Sequence, residues 1–404
     1  MAGSRHPDDL TFIRPDPKIH REAVFDLIAK VFAGREYWGM LAYCRNSYID
    51  TSHYDWRGST IGLLGDDVVT HWGVLGYRMR IGRARVRTAG VGVVATHGEH
   101  RRKGLMAATA RAGCQAARAA GYDVSVLFGI PDFYHRFGYV RAWPERTYTV
   151  QADTLPPAPG PMTLRPFATR HRDDLATLYN RCNRRLTGTA VRPTFRVRTK
   201  GWEGYLWSAP DGRPAGYVIV TDRQGKRFEL VEHAGDSAAV LAALGRLARK
   251  YRAREVRLYS LHHDSDLART LRRGDCRVET HYLRSGEAMI RTLNLPATLR
   301  KMRGELAARL RRSHLADWRG EMLIADAREK VLLAIDRSRV AVRPAKRTKH
   351  AIRGGDEIAQ LLIGTGAPRE TVAAGTIRLT GDAKRLVDVL FPDQHPSLAA
   401  WDHF

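Results

Sequence analysis

Val91-Gly-Val-Val-Ala-Thr-His-Gly-Glu-His-Arg-Arg-Lys-Gly-Leu-Met-Ala-Ala-Thr-Ala-Arg-Ala-Gly-Cys-Gln-Ala-Ala-Arg-Ala-Ala120 is the stretch from which the fold of this 404-residue chain can be read. Val91, Val93, Val94, Ala95 and Thr96 are small or β-branched and predict a strand buried on both faces. A polar turn, His97 to His100, follows. Beyond Arg101-Arg102-Lys103-Gly104, Leu105, Ala108, Ala112, Ala116 and Ala119 recur at spacings of three and four, the pattern of an amphipathic helix. The first amides of a helix have no partner within it, and the helix dipole is positive there. Gly104 lets a ligand approach that backbone closely, and the basic run adds charge, so the turn suits a pyrophosphate. The GK[ST] ending of a P-loop is missing, and no GxGxxG occurs. A solvated basic turn between an ordinary strand and helix is the plain alternative.

Composition narrows the classes. No apolar run reaches membrane-span length, and the opening Met1–Asp9 lacks a signal-peptide core, so a cytoplasmic protein is expected. Cys44, Cys114, Cys182 and Cys276 are scattered, which predicts reduced thiols and no metal site. The net charge of +25 is spread along the chain without a basic tail. That distribution argues against a nucleic-acid binder and favours a polyanionic co-substrate. The proline-rich 155–161 marks a domain boundary, after which Met162–Phe167 echoes Thr11–Pro15.

Arg101-x-x-Gly104 after a strand resembles motif A of the GCN5-related N-acetyltransferases (GNAT), with Met106 in place of a small residue. Asp132–Tyr139, DFYHRFGY, resembles the IYGRFGY stretch of the Eis-like branch of that family. The resemblance implies an α+β fold: two GNAT-like mixed-sheet domains in tandem, residues 1–154 catalytic and 155–285 degenerate, then a sterol-carrier-protein-like α+β domain, 286–404. It implies acetyl-CoA as co-substrate, a primary amine acceptor (an aminoglycoside-like molecule, a lysine side chain or an unrelated polyamine) and a homohexamer. Lipid or nucleic-acid binding without catalysis is the reading from another class.

By the same resemblance, the co-substrate meets Val94, Ala95, Thr96, Arg102, Lys103, Gly104, Leu105, Met106 and Ala107, with Gly129 and Ile130. Tyr134 is the expected general acid, since a phenol is protonated at neutral pH; Tyr139 is the runner-up. The expected base is the α-carboxylate of Phe404, with His97, His100 and Glu99 as alternatives. The apolar ending with Trp401 and Phe404 favours burial over a fraying tail. Asp26, Trp38 and Asp402 are candidate acceptor contacts. Tyr37, Trp38, Tyr43, Tyr48 and Tyr54 fall where the family walls the acceptor pocket, and plain core packing serves each equally well.

Overall fold

Asp16 opens the first helix by accepting a hydrogen bond from the Lys18 amide, with Pro17 at the first helical position. The computed structural model describes residues 10–34, 36–48, 53–158, 160, 162–195, 202–283 and 285–404. The expectations on Met1–Asp9, on Pro159 and Pro161, and on the Tyr48 side chain lie outside the described residues.

The chain begins with β1 (Leu10–Ile13), α1 (Pro17–Phe32) and α2 (Tyr37–Tyr43), then β2 (Thr60–Leu64), β3 (Asp67–Ile81) and β4 (Ala84–Thr96) in an antiparallel meander. Gly76 predicts a break, yet β3 runs through it: the Tyr122 hydroxyl lies where a side chain at Gly76 would stand. Helix α3 (Leu105–Ala119) then crosses to β5 (Val124–Gly129), parallel to β4. The side chain of Trp72 is fully buried against the α3 glycine Gly113, which lets the helix lie close to the sheet.

Residues 139–150 read as one strand in the sequence but fold as two, β6 (Val140–Arg141) and β7 (Glu145–Gln151), separated at Ala142–Pro144. Only β6 stays with the first sheet. Strand β7 buries Tyr148 and Val150 in the core of the next unit. That unit holds β8 (Arg165–Pro166), α4 (Arg172–Cys182), β9 (Ala190–Val191), β10 (Trp202–Ser208), β11 (Pro214–Gln224), β12 (Arg227–Ala234), α5 (Ser237–Tyr251), β13 (Glu255–Tyr259), α6 (Asp266–Leu271) and β14 (Arg277–His281). Its sheet runs β14-β7-β13-β12-β11-β10-β8, while β9 joins β3 of the first sheet. Strand β12, helix α5 and the parallel β13 repeat the β4–α3–β5 arrangement. The difference is at the helix start. The Asp236 carboxylate caps the Ala238 and Ala239 amides, where a phosphate would need them open.

The resemblance makes residues 288–297 the entry strand of the third unit. Instead β15 (Glu287–Thr292) inserts into the first sheet between β5 and β6, with Ile290 opposite Val126. Ala288, Met289 and Ile290 are consecutive and buried, as a strand covered on both faces requires. Sheet pairing therefore crosses both expected boundaries, 154/155 and 285/286. The chain continues through α7 (Leu295–Arg311), β16 (Arg319–Ala325), β17 (Lys330–Asp336), β18 (Arg339–Pro344), β19 (His350–Arg353), α8 (Ile358–Ile363), α9 (Pro368–Ala373), β20 (Arg378–Thr380) and α10 (Ala383–Leu390). The first sheet runs β1-β2-β3-β4-β5-β15-β6, and the third β18-β17-β16-β19-β20. One face of the first sheet packs on α3; the other shares a core with Leu299, Met302 and Leu306 of α7. Among the described residues no helix is long and apolar enough to cross a membrane.

Candidate active site

Strands β4 and β5 pair from Thr88–Val124 to Val91–Leu127 and no further. Beyond that point they part, leaving Gly92–Thr96 on one side and Phe128–Ile130 on the other. A bulge sharpens the opening. The β3–β4 register shifts between His71 and Gly73, and Val93 sits at φ +47°, a left-handed conformation rare for a β-branched residue. Such a bulge breaks the ladder and frees backbone groups at the edge of the opening.

His71 supports the bulge from below. Its Nδ1 lies 2.8 Å from the Val93 carbonyl, which can only accept, so Nδ1 carries the proton. Its Nε2 lies 2.7 Å from the Tyr54 hydroxyl, which then donates to it. Burial pulls the His71 pKa down to about 4, so the ring stays neutral. No sequence signal marked His71 out: a lone histidine in an apolar strand has many readings.

At the end of β4 the cradle takes shape. Ala95 pairs with His71 and Thr96 with Thr70, and the Thr96 carbonyl accepts from Arg101 Nε at 3.3 Å. Arg102 at φ +61° and Gly104 at φ +77° turn the chain into α3. Gly104 is the N-cap and supplies no side chain to close the helix end. The Leu105 and Met106 amides have no acceptor among the described residues, whereas the Ala107 amide already donates to the Gly104 carbonyl at 3.0 Å. Nothing stands within 4 Å of where a side chain on Gly104 would begin. The glycine therefore serves its backbone angle and an open approach. Arg101, Arg102 and Lys103 are exposed around that approach. Leu105 packs its side chain into a small core with Leu64 and Val69, while Val94, Met106 and Ala107 are half-buried on the α3 side. These features fit a polyanionic co-substrate: open amides, positive charge and no steric obstruction.

Across the opening, Gly129 pairs with Glu287 at the end of β5, and Ile130 beyond it is 63% exposed. Tyr134 follows in a short 3₁₀ turn, Tyr134–Phe137. Its ring meets Phe133 edge-on at 5.0 Å, and its hydroxyl has no partner among the described residues. Burial pushes its pKa up to about 12. Tyr139 is different: it is fully buried, with its hydroxyl 2.7 Å from that of Ser125, and belongs to the core.

The chain end reaches the same two strands, at Gly90 of β4 and Phe128 of β5. The Phe404 ring lies over Gly90, 2.6–2.8 Å from where a side chain there would begin, and near the rings of Phe128 (5.5 Å) and Tyr77 (5.9 Å). His403 stacks on Phe128 at 3.8 Å. The Tyr77 hydroxyl is buried without a partner among the described residues and, with Gly76, His53 and residues 401–404, lines a small cavity. Tyr77 and His53 went unnoticed in the sequence.

Of the acceptor candidates, Asp26 accepts from the Tyr37 hydroxyl and pairs with Lys30, each at 2.7 Å. Burial works to raise its carboxyl, but these two contacts outweigh burial and hold it below the ordinary value. Trp38 is 77% exposed on α2 and meets Tyr37 edge-on at 5.1 Å. Asp402 corrects an expectation. Both of its oxygens are engaged, by Arg192 at 2.8 Å each and by the Tyr179 hydroxyl at 3.0 Å, so it is not available as a counter-charge for an amine. His97, Glu99 and His100 stand together at the rim of the cradle turn, with ligating atoms within 4.8 Å of one another, where the sequence predicts no metal site.

Residues 13–142, which contain the bulge, the cradle and Tyr134, match the sequence model of the acetyltransferase (GNAT) domain. The chain carries a GNAT acetyltransferase domain. A curated protein of Streptomyces avermitilis, described as an uncharacterized N-acetyltransferase, is 26% identical over 220 residues, which span 50% of this chain and 49% of that one. The match thus covers about half the length of the relative. Solved structures share the fold along the whole chain. A GCN5-related N-acetyltransferase from Anabaena variabilis superposes with a TM-score of 0.75 at 16% identity, covering 98% of this chain and 100% of that one. One from Kribbella flavida gives 0.69 at 20% identity, covering 98% of each. Eis1 from Mycobacterium abscessus gives 0.66 at 16%, covering 98% and 100%. GNAT domains use acyl-CoA as co-substrate, and the open amides beside Gly104 suit its pyrophosphate.

Proposed function

We propose that the chain is an acetyl-CoA-dependent N-acetyltransferase acting on a primary amine, either an aminoglycoside-like small molecule or a lysine side chain. The observation that carries this reading is the parting of β4 and β5 beyond Val91 and Leu127, with the unpartnered α3 amides at one end and Tyr134 across from the bulge. In this reading the Leu105 and Met106 amides, with Arg102 and Lys103, hold the pyrophosphate. Backbone groups of Val94–Thr96 hold the pantetheine arm and polarise the thioester carbonyl. The neutral amine attacks the carbonyl carbon, the carbon–sulfur bond breaks, and Tyr134 protonates the departing thiolate. In a chain that ends at Phe404, its α-carboxylate is the base that takes the amine's proton, directly or through water. The polar but unpartnered Tyr77 hydroxyl beside Phe404 supports a functional rather than a merely packed chain end. Asp26 and Trp38 border the acceptor side. A homohexamer in the cytoplasm completes the proposal, on resemblance to the Eis-like branch.

The test pairs two assays. Acetyl-CoA should raise the melting temperature. Thiol release from acetyl-CoA, followed over a panel of primary amines, should depend on both amine and protein. A protein that acetyl-CoA does not stabilise, and that releases no thiol with any amine, contradicts the proposal.

A further inference from the structure

We infer that Arg192 of the second domain, clamped by Glu232, is a positioning residue that fixes the chain end, and with it Phe404, through Asp402. The inference rests on the reading of Phe404 above where it concerns rate, and on geometry alone where it concerns position. Arg192 is 210 residues from Asp402 in sequence, yet its Nε and one terminal nitrogen each lie 2.8 Å from an Asp402 oxygen. The other face of the guanidinium fork is held by Glu232, which also accepts from the Tyr217 hydroxyl at 2.7 Å. Arg192 lies over the Tyr179 ring, 3.6 Å from its centroid, and that tyrosine's hydroxyl donates to Asp402. The side chains of Arg192, Glu232 and Asp402 are only 6%, 2% and 15% exposed. Such a paired fork fixes orientation as well as distance.

The residues on either side show what this anchor divides. Trp401 is buried in the second domain, against Phe195 at 5.8 Å and Trp202 at 4.8 Å. His403 and Phe404 pack on Phe128 and over Gly90 of the first sheet. Asp402 is thus the last point held by the second domain before the chain reaches the first sheet. A domain whose own helix start is closed by Asp236 gains a role here as the clamp on the other domain's base.

The test is Asp402→Asn, which keeps the shape and leaves Arg192 paired with Glu232. Two readouts are taken on the full 404-residue chain: the rate at which carboxypeptidase A releases Phe404, and kcat with KM for acetyl-CoA. The expected result is release at least about tenfold faster and kcat lower by about 10²-fold, the cost of about 1 Å of misplacement, with KM for acetyl-CoA unchanged. Arg192→Lys, which cannot make the forked contact, should speed release from the other side of the pair. Release as slow as in the native chain in both variants overturns the inference. A fall in kcat with release still slow also overturns it, because Asp402 would then act on the acceptor itself. If a chain extended by one glycine keeps the native rate, the reading of Phe404 as base fails, while the release rates still decide the anchor.

Discussion

Gly90→Ala tests the seating of the chain end with one methyl group. The new Cβ would stand 2.6, 2.7 and 2.8 Å from three carbons of the Phe404 ring. Carbon atoms rest about 3.5–4.0 Å apart, so the ring must retreat by about 1 Å. Overpacking of this kind costs about 1–3 kcal/mol when it distorts a core. Here the obstructing ring is only partly buried, so the stability loss should fall at the low end. Displacement of the carboxylate by about 1 Å predicts a loss of about 10² in rate. The cradle at Gly104 is untouched, and KM for acetyl-CoA should not change. The assay is thiol release at saturating acetyl-CoA, with thermal unfolding as the control. A variant that unfolds like the native protein and retains kcat within about threefold refutes the argument that Phe404 must sit where it does.

Other consequences can be checked alongside. Tyr134→Phe keeps the ring and removes the proton, so kcat should fall by about 10²- to 10⁴-fold with acetyl-CoA binding intact; near-native kcat would reduce Tyr134 to packing. Gly104→Val places a branched side chain in the open approach and at φ +77°, so KM for acetyl-CoA should rise steeply, as steady-state kinetics will report. His71 is neutral in the fold, with a pKa near 4 against 6.5 when unfolded. Its contribution to stability is therefore fully present above pH 6.5 and is lost as the pH falls toward 4. At pH 5 that histidine alone should cost about 2 kcal/mol relative to pH 7, and urea unfolding of His71→Gln at the two pH values should show a smaller difference than the native chain.

The existence of the strand, turn and helix in residues 91–120 was legible because their signals are local, but α3 buries Thr109, Ala110, Gly113, Cys114 and Ala117 beside Leu105 rather than the alanine stripe read from the sequence, and Val93, Val94 and Thr96 are only half-buried. Tyr134 was singled out only by resemblance to the IYGRFGY stretch, and the chain end by its apolar residues, Trp401 and Phe404. The exchange of β7 and β15 was not legible. A strand buried on both faces has the same pattern in any sheet, and which neighbours it meets depends on the rest of the chain. Asp402 was misread as an acceptor contact because its partner, Arg192, comes from a segment that carries no motif. The Val93 bulge likewise depends on His71, more than twenty residues away on the neighbouring strand.

The most direct test of the account adds a single glycine after Phe404. Every side chain stays, and the terminal carboxylate moves by about 3.3–3.6 Å. Thiol release from acetyl-CoA with the best amine should fall by at least about 10²-fold, while acetyl-CoA still raises the melting temperature as it does for the native chain. An extended protein that transfers the acetyl group at the native rate contradicts the claim that the chain end supplies the base.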